Sequence, residues 1–237
     1  MTARKPAGKN PVVGLDVGTT KICAIAGKNE SEKVKIVSVE TSPSQGLRKG
    51  IVVDLDMASR SIRATLTSME QALSARIRSV VVGIAGGHIK GFNGYGAVGI
   101  KGGRVREEDV ERLIDSAGAV YVPVDREILH VLPAGFRLDG QNSIQDPVGM
   151  SGQRLEARLH IVTGSVTSVQ NLILCCERAG VEVNDIVLEP LASADAVLTP
   201  EEREGGVVLI DIGGGTTDIA VYKKGTLRHT AVLALGG

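Results

Sequence analysis

The residues best suited to chemistry form two glycine-containing loops, one near each end of the chain. The first lies in "VVGLDVGTTKICAIAG", residues 12–27, and the second in "LIDIGGGTTDIAVY", residues 209–222. In both stretches an apolar strand ends in Asp-x-Gly, a tight turn with Thr-Thr follows, and another apolar strand begins. Such a turn presents backbone N–H groups and hydroxyls in a small concave space, an arrangement that binds anions and above all phosphate. Glycine allows the backbone to approach the phosphate oxygens and to adopt positive φ.

The aspartates of the two loops suit a different ligand. Mg²⁺ keeps most of its waters and is usually held by one or two carboxylates together with phosphate oxygens. Two loops that face each other would grip a polyphosphate and its metal from opposite sides, so Asp16 and Asp211 are the predicted metal-binding residues. The predicted phosphate-binding set comprises Asp16, Gly18, Thr19, Thr20, Lys21, Asp211, Gly213, Gly214, Gly215, Thr216 and Thr217.

The two loops also indicate an internal duplication. Asp211 follows Asp16 by 195 residues, a spacing that fits a duplicated lobe and not a solenoid. When two glycines of the later copy are skipped, Thr19-Thr20 aligns with Thr216-Thr217, and Lys21 aligns with Asp218. This alignment makes Lys21 a weaker phosphate ligand than the glycines. Either loop alone could be an ordinary glycine hairpin, since turns favour Gly and Asp for their own reasons.

Glu189 is the candidate catalytic residue. It closes "DIVLEP", where a predicted strand meets a predicted helix whose first turn contains Pro190. A carboxylate there could orient the water that attacks a γ-phosphate. The alternative is a purely structural role, because a negative charge is favoured at a helix N-terminus.

Two other features of the sequence give weaker indications of function. "GYGAVG", residues 94–99, has the dinucleotide-binding glycine spacing but opens no predicted helix, so we interpret it as part of a glycine-rich connection. The four histidines show no metal-ligand spacing, which argues against a transition-metal site.

The elements around the loops predict an α/β fold. A helix is expected from about Asp56 to Ala75, with an apolar stripe and Asp54 or Asp56 as its cap. "SVVVGIA" is a continuous apolar strand, typical of a sheet covered on both faces, and helices alternate with such strands. Residues 86–163 differ, because a glycine-rich stretch, a charged helix from Glu107 to Gly118 and two strands predict a small inserted α+β unit. "TPEEREGG" is interpreted as a polar linker.

Composition narrows the function classes. The 237 residues are 43% hydrophobic, which suits one or two soluble domains, and 27 basic residues balance 27 acidic ones. This balance gives no electrostatic footprint for nucleic acid. The basic start, "MTARKPAGKN", predicts a loose tail and no signal peptide, and no apolar run is long enough to span a membrane. Three cysteines in apolar patterns predict buried thiols in a reducing cytoplasm.

These motifs resemble a known superfamily. "GLDVGTTK" and "LIDIGGGTTDIAVY" are similar to the phosphate 1 and phosphate 2 motifs of actin, Hsp70 and the sugar kinases, and "EPLASA" from Glu189 looks like the first connecting segment. Within that superfamily the order of pieces resembles the bacterial cell-division family FtsA. The insert at residues 86–163 looks like the 1C subdomain that this family carries in place of actin's 1B.

The resemblance implies an actin-like ATPase (ribonuclease H-like) fold. Residues 1–85 and 164–200 would form subdomain 1A, residues 86–163 subdomain 1C, and residues 201–237 the start of an incomplete subdomain 2A. It further implies a protein that binds ATP and Mg²⁺, polymerises through the 1C insert and the lobes, and hydrolyses ATP weakly at most. Such a protein tethers FtsZ to the cytoplasmic face of the inner membrane at the division septum.

Family members continue past this point with the remainder of the second lobe and a C-terminal amphipathic membrane helix, so the chain is expected to be a fragment or a truncated product. Two alternatives stay open. One is a type IV pilus assembly scaffold of the PilM type, which shares the insert but resembles this chain less in the first loop. The other is a sugar-kinase-like phosphotransferase, although no base and polar sugar site follow "GLRKGIVVD".

Overall fold

A computed structural model describes residues 11–30, 33–118 and 122–237. The basic tail predicted for residues 1–10 lies outside this part of the chain. The described residues form three main sheets, one for the first lobe, one for the insert and one for the beginning of the second lobe.

The first-lobe sheet contains five strands in the order β11-β6-β1-β2-β3. β1 (Val12–Val17), β2 (Lys21–Glu30) and β3 (Lys33–Pro43) form an antiparallel meander, because short turns join consecutive strands. β6 (Ser79–Ile84) and β11 (Glu182–Leu188) run parallel to β1. The phosphate-loop candidate between β1 and β2 therefore lies at the same edge as the C-terminal ends of β6 and β11.

Two helices cover one face of this sheet. α1 (Leu55–Leu73) matches the predicted helix, and the Asp54 side chain caps it by accepting a hydrogen bond from Met57 N at 2.9 Å. α3 (Val166–Arg178) ends before Gly180, whose φ of +86° completes the turn. A short hairpin of β4 (Leu47–Arg48) and β5 (Ile51–Val52) precedes α1. The helices and the sheet bury a common core that includes Leu15, Ile22, Ile62, Leu66, Met69, Val82 and Cys176.

The opposite face of β1 to β3 is exposed. Val12, Ile25, Ile36 and Val39 lie on it and are 40–53% exposed. In β6, buried and half-buried residues alternate along the strand. The predicted burial of "SVVVGIA" on both faces is therefore only partly correct: Val81 and Gly83 on the second face are half-buried, with Glu189 against Gly83.

The insert is a four-stranded antiparallel sheet in the order β7-β10-β8-β9. Its strands are β7 (Lys90–Gly99), β8 (Arg126–Leu138), β9 (Gln141–Ile144) and β10 (Arg154–Ser165). α2 (Glu107–Gly118) packs on one face, around a core with Leu113, Leu155 and Leu159. β7 corrects the interpretation of "GYGAVG" as a connection: the ladder to β10 places these glycines in a strand, two of them at close contacts with Ile161 and Leu159.

α4 (Glu189–Val197) and α5 (Pro200–Gly205) lead into the second lobe, which begins with a meander of β12 (Val207–Ile212), β13 (Thr217–Lys223) and β14 (Thr226–Leu233). α5 corrects the prediction of a polar linker. Thr199 Oγ1 accepts from Glu202 N at 3.2 Å, and Thr199 N donates to Glu202 Oε2 at 2.9 Å, so a capping box starts this helix.

A buried histidine joins the insert to the second lobe. His160 on β10 is fully buried, with Nδ1 2.8 Å from Asn93 Oδ1 on β7 and Nε2 2.9 Å from Thr230 Oγ1 on β14. Gly91 makes room for this contact, because a Cβ there would lie 2.7 Å from His160 Nε2. Burial and the nearby His229 lower the pKa of His160 to about 4, so the ring is neutral at pH 7 and bonds one partner as donor and the other as acceptor.

We predict that Thr230→Val lowers the free energy of unfolding by about 1–2 kcal/mol, because it leaves a ring nitrogen of His160 buried without its partner. Thr41→Val, at an exposed position of β3, is the matched control and is expected to change it by less than about 0.5 kcal/mol. Urea unfolding of the complete protein that contains this chain checks both values. Equal effects of the two variants would contradict a stabilising role for the contact.

Candidate functional site

The two glycine loops are hairpins of equal length. Gly18 N donates to Lys21 O at 3.1 Å in the first, and Gly213 N donates to Thr216 O at 2.9 Å in the second. In the flanking strands Asp16 pairs with Cys23, and Asp211 pairs with Asp218. The two loops therefore superpose without a gap.

This register corrects the alignment made from the sequence. The structural counterparts of Thr19-Thr20 are Gly214-Gly215, the counterpart of Lys21 is Thr216, and Asp218 corresponds to Cys23. The alignment by residue type was wrong because the closing hydrogen bond, and not the identity of the turn residues, sets the register of a hairpin. Only the Asp-x-Gly part is shared by both loops, so the absence of a second lysine says nothing against Lys21.

The tips of the two loops face and touch each other. A Cβ added to Gly214 would lie 2.7 Å from Thr20 Oγ1, and one added to Gly215 would lie 2.6 Å from Thr19 Oγ1. Neither glycine has a positive φ. Close approach of the opposite loop, and not backbone conformation, is therefore what demands glycine at these two positions.

Neighbouring segments hold the loops in place. Gly50 N, in the β4–β5 turn, donates to Thr19 Oγ1 at 3.1 Å, and Thr217 Oγ1 donates to Leu235 O at 2.8 Å. Thr216 is buried, whereas Thr20 and Lys21 are exposed. The hydroxyl of Thr20 and the ammonium group of Lys21 are thus the parts of the first loop that solvent reaches most easily.

Carboxylates gather behind the two loops. Burial raises the pKa of Asp16, the charge of Lys21 lowers it, and Asp211 raises it again. Burial also raises the pKa of Glu189, to about 8, with further increases from Asp16, Asp218 and Asp211. For Asp218 burial raises the pKa to about 6, a shift that Thr216 opposes and Asp211 enlarges. The four acids share one electrostatic environment, although they come from both ends of the chain.

This environment fits a cation that arrives together with phosphate. Asp16 and Asp211 lie close enough to shift the pKa of Asp16, and Asp218 Oδ1 is buried with no hydrogen-bond partner among the described residues. Within the same part of the chain, no three His, Cys, Asp or Glu side chains are arranged to hold a metal by themselves. Magnesium is usually bound by one or two carboxylates together with phosphate oxygens. The carboxylates of this site therefore suit Mg²⁺ bound with a polyphosphate.

Glu189 lies at the first turn of α4 and packs over β6. A Cβ added to Gly83 would lie 3.1 Å from its Cγ and 3.4 Å from its Oε1. Beside it is a cavity of about 30 Å³ whose polar lining includes Glu189, Thr19, Thr216, Ser168 and His88. Glu189 thus lies next to both loops, and its role in orienting a water stays a prediction.

Sequence reasoning missed four polar residues of this region: Asp218, Ser193, His88 and Ser168. Ser193 Oγ donates to Asp211 Oδ2 at 2.7 Å. It follows Glu189 by four positions on α4, so helical periodicity could have placed both on one face. His88 was considered only for metal-ligand spacing, and no local pattern points from Asp218 or Ser168 to the site.

Comparisons with known proteins identify the family. The family model described as "SHS2 domain inserted in FTSA" matches residues 86–163, and the one described as "Cell division protein FtsA" matches residues 208–237. The cell division protein FtsA of Pseudomonas aeruginosa is 46% identical over 227 residues, which are 95% of this chain and 54% of that protein. The chain belongs to the FtsA family. FtsA of Neisseria meningitidis is 45% identical over 94% of this chain and 54% of its own length, and FtsA of Escherichia coli K12 is 38% identical over 98% and 56%.

This FtsA-family chain spans about half the length of the curated relatives that it matches. These relatives are named cell division proteins, the class that the resemblance of the sequence motifs implied. No described helix of this FtsA-family chain is both long and apolar enough to cross a bilayer.

Solved structures agree on the fold of this FtsA-family chain. The PilM-PilN type IV pilus biogenesis complex aligns with a TM-score of 0.68 at 14% identity, over 95% of this chain and 62% of that one. Ethanolamine utilization protein EutJ from Carboxydothermus hydrogenoformans aligns with a TM-score of 0.55 at 18% identity, over 98% and 54%. The predicted actin-like fold is confirmed. The likeness to PilM concerns the fold alone, whereas the FtsA relatives share 38–46% of their aligned residues.

Proposed function

We propose that this FtsA-family chain binds ATP with Mg²⁺ between its two glycine loops and that the complete protein polymerises and anchors FtsZ at the septal membrane. The main observation that supports a nucleotide site here is the direct apposition of the two loops. Close to them lie Asp16, Glu189 and Asp218, whose pKa values are raised by burial and by neighbouring carboxylates that include Asp211.

Each part of the site has a role in this proposal. The backbone N–H groups of Gly214 and Gly215, with the hydroxyls of Thr19 and Thr20, bind phosphate oxygens. Lys21, an exposed cation beside Asp16, neutralises phosphate charge, while Asp16 and Asp211 bind the hydrated metal. When bound, the metal supplies charge stabilisation for the phosphates. Glu189 orients a water, and Thr216 and Thr217 hold the second loop in place.

The proposed subdomains follow from the same actin-like fold. Residues 1–85 and 164–200 form subdomain 1A, residues 86–163 form subdomain 1C, and residues 201–237 begin subdomain 2A. We assign filament contacts to the 1C insert and the lobes, and the inner-membrane anchor to a C-terminal helix outside this sequence. The nucleotide sets the relative position of the lobes, and hydrolysis is weak at most.

Calorimetric titration of the complete protein with ATP, with and without Mg²⁺, tests the nucleotide site. We expect Asp16→Asn to weaken binding about tenfold in Mg²⁺ and to have little effect in EDTA, because the carboxylate acts through the metal. Asp185→Asn, at an exposed position of β11, is the control. An equal loss with and without the metal would overturn the assignment of Asp16.

The scaffold role needs its own experiment. Co-sedimentation of the complete protein with FtsZ and with lipid vesicles is expected to recover all three components in one pellet. ATP-dependent phosphorylation of a small polyol would instead favour a phosphotransferase.

A further inference from the structure

His88 is a half-buried residue with buried ring nitrogens, and the proposed function leaves it unused. It lies between β6 and β7, where the chain leaves the first lobe for the insert, and Arg126 Nη2 holds its backbone by donating to His88 O at 2.9 Å. Gly86 packs against the ring, since a Cβ there would lie 2.9 Å from His88 Nδ1. The backbone of His88 is therefore anchored, and its ring lies closely against Gly86.

Both ring nitrogens of His88 are buried, and neither has a hydrogen-bond partner among the residues that the structure describes. A buried polar group without a partner costs about 1–3 kcal/mol, so an unpaired imidazole calls for a ligand or an ordered water. Burial, with a smaller effect from the Arg126 charge, lowers the pKa of His88 to about 4. The ring is neutral at physiological pH and offers one donor and one acceptor.

The imidazole lines the 30 Å³ cavity together with Glu189, Thr19, Thr216 and Ser168. A cavity of more than about 10–15 Å³ can hold a water when two to four polar partners surround it. The cavity meets both conditions. The polar groups come from the first lobe, the second lobe and the start of the insert, so the cavity adjoins all three units.

We propose that His88 is a positioning residue of the nucleotide site, which holds, together with Glu189, one ordered water beside the first glycine loop. The inference rests on the proposed nucleotide-binding function and extends it. The neutral ring accepts a hydrogen bond from the water, and the Glu189 carboxyl fixes a second direction. Phosphoryl transfer to water requires an oriented water at such a place.

A high-resolution crystal structure of the complete protein without nucleotide is the first test. We expect a water within about 3.2 Å of a His88 ring nitrogen and of the Glu189 carboxyl. We also expect His88→Phe, which keeps an aromatic side chain but has no ring nitrogens, to lose this water. An unoccupied cavity, or a protein partner for both nitrogens, would overturn the proposal. This readout does not depend on nucleotide binding.

Kinetics of the complete protein give the second test. We expect His88→Phe to slow single-turnover ATP hydrolysis about 10- to 100-fold while ATP affinity stays within about twofold, because a misplaced water affects chemistry and not binding. His88→Asn and His88→Gln each keep a polar atom near one ring nitrogen, and one of them is expected to restore part of the rate. His229→Phe, at an exposed histidine, controls for the change in side chain.

The outcomes distinguish the positioning role of His88 from the proposed nucleotide-binding function. Parallel losses of affinity and rate in His88→Phe would overturn the positioning role. Failure of the wild-type protein to bind ATP would overturn the proposed function while leaving the crystallographic result on the water intact.

Discussion

Replacing Gly214 with valine is expected to abolish measurable nucleotide binding, with a loss of affinity of about 100-fold or more. A Cβ at this position would lie 2.7 Å from Thr20 Oγ1 and 3.0 Å from Thr20 Cβ, so the loops must move apart. Forcing extra carbon atoms into a close contact typically costs about 1–3 kcal/mol, and 1.4 kcal/mol corresponds to a factor of ten in affinity. The displaced loop also carries the N–H groups assigned to phosphate.

Gly99→Val is the matched control for this change. Gly99 ends β7 in the insert, has no positive φ, and a Cβ there would meet nothing within 4 Å. Titration of both variants of the complete protein with ATP and Mg²⁺, with circular dichroism as a check on folding, makes the comparison. Undiminished affinity in a folded Gly214→Val protein would refute the assignment of this loop to phosphate.

Stability should fall as pH rises through the range in which Glu189 titrates. Its pKa is about 8 in the folded protein against an ordinary value of 4.5, so the unfolded chain releases the proton first. The stabilisation associated with the protonated carboxyl is complete below pH 4.5 and is lost as pH approaches 8 and rises through it. At 1.36 kcal/mol per pKa unit the loss is at most about 5 kcal/mol. Glu189→Gln, which cannot ionise, should remove this part of the pH dependence.

The wild-type and Glu189→Gln proteins should be compared by urea unfolding at intervals from pH 5 to pH 9. The difference between them is the informative quantity, because His88 and His160 act in the opposite sense. Their folded pKa values of about 4 lie below the usual 6.5, so they add stability as pH rises from 4 to 6.5. Glu182→Gln, at an exposed residue of β11, provides the control. Parallel curves for wild type and Glu189→Gln would show that the carboxyl is not held protonated.

Local sequence patterns predicted the elements that depend on nearby residues. α1 was predicted because its apolar residues recur at helical spacing and because Asp54 occupies the N-cap position, where Asp is favoured. The strands around both glycine loops followed from apolar runs on either side of a turn. α5 was missed, although Thr199 and Glu202 carry the capping-box spacing, because a short polar helix has no apolar stripe to reveal it.

The features that depend on distant residues were harder to predict. The contact of Gly214 with Thr20 joins residues that are far apart in the chain, and the alignment of the two loops was displaced by two positions because identical threonines stand in different places. His160 and Thr230 meet only after the insert and the second lobe are both folded. No periodicity or spacing rule encodes such a contact, so the predicted site lacked Asp218, Ser193 and His88.

The equal length of the two hairpins has a consequence for whatever lies between them. The first presents two threonine hydroxyls and a lysine, whereas the second presents main chain at Gly214-Gly215 and a buried threonine in place of the lysine. Two loops of equal length but different chemistry distinguish the two ends of an elongated anion. Such an anion would therefore bind in only one orientation.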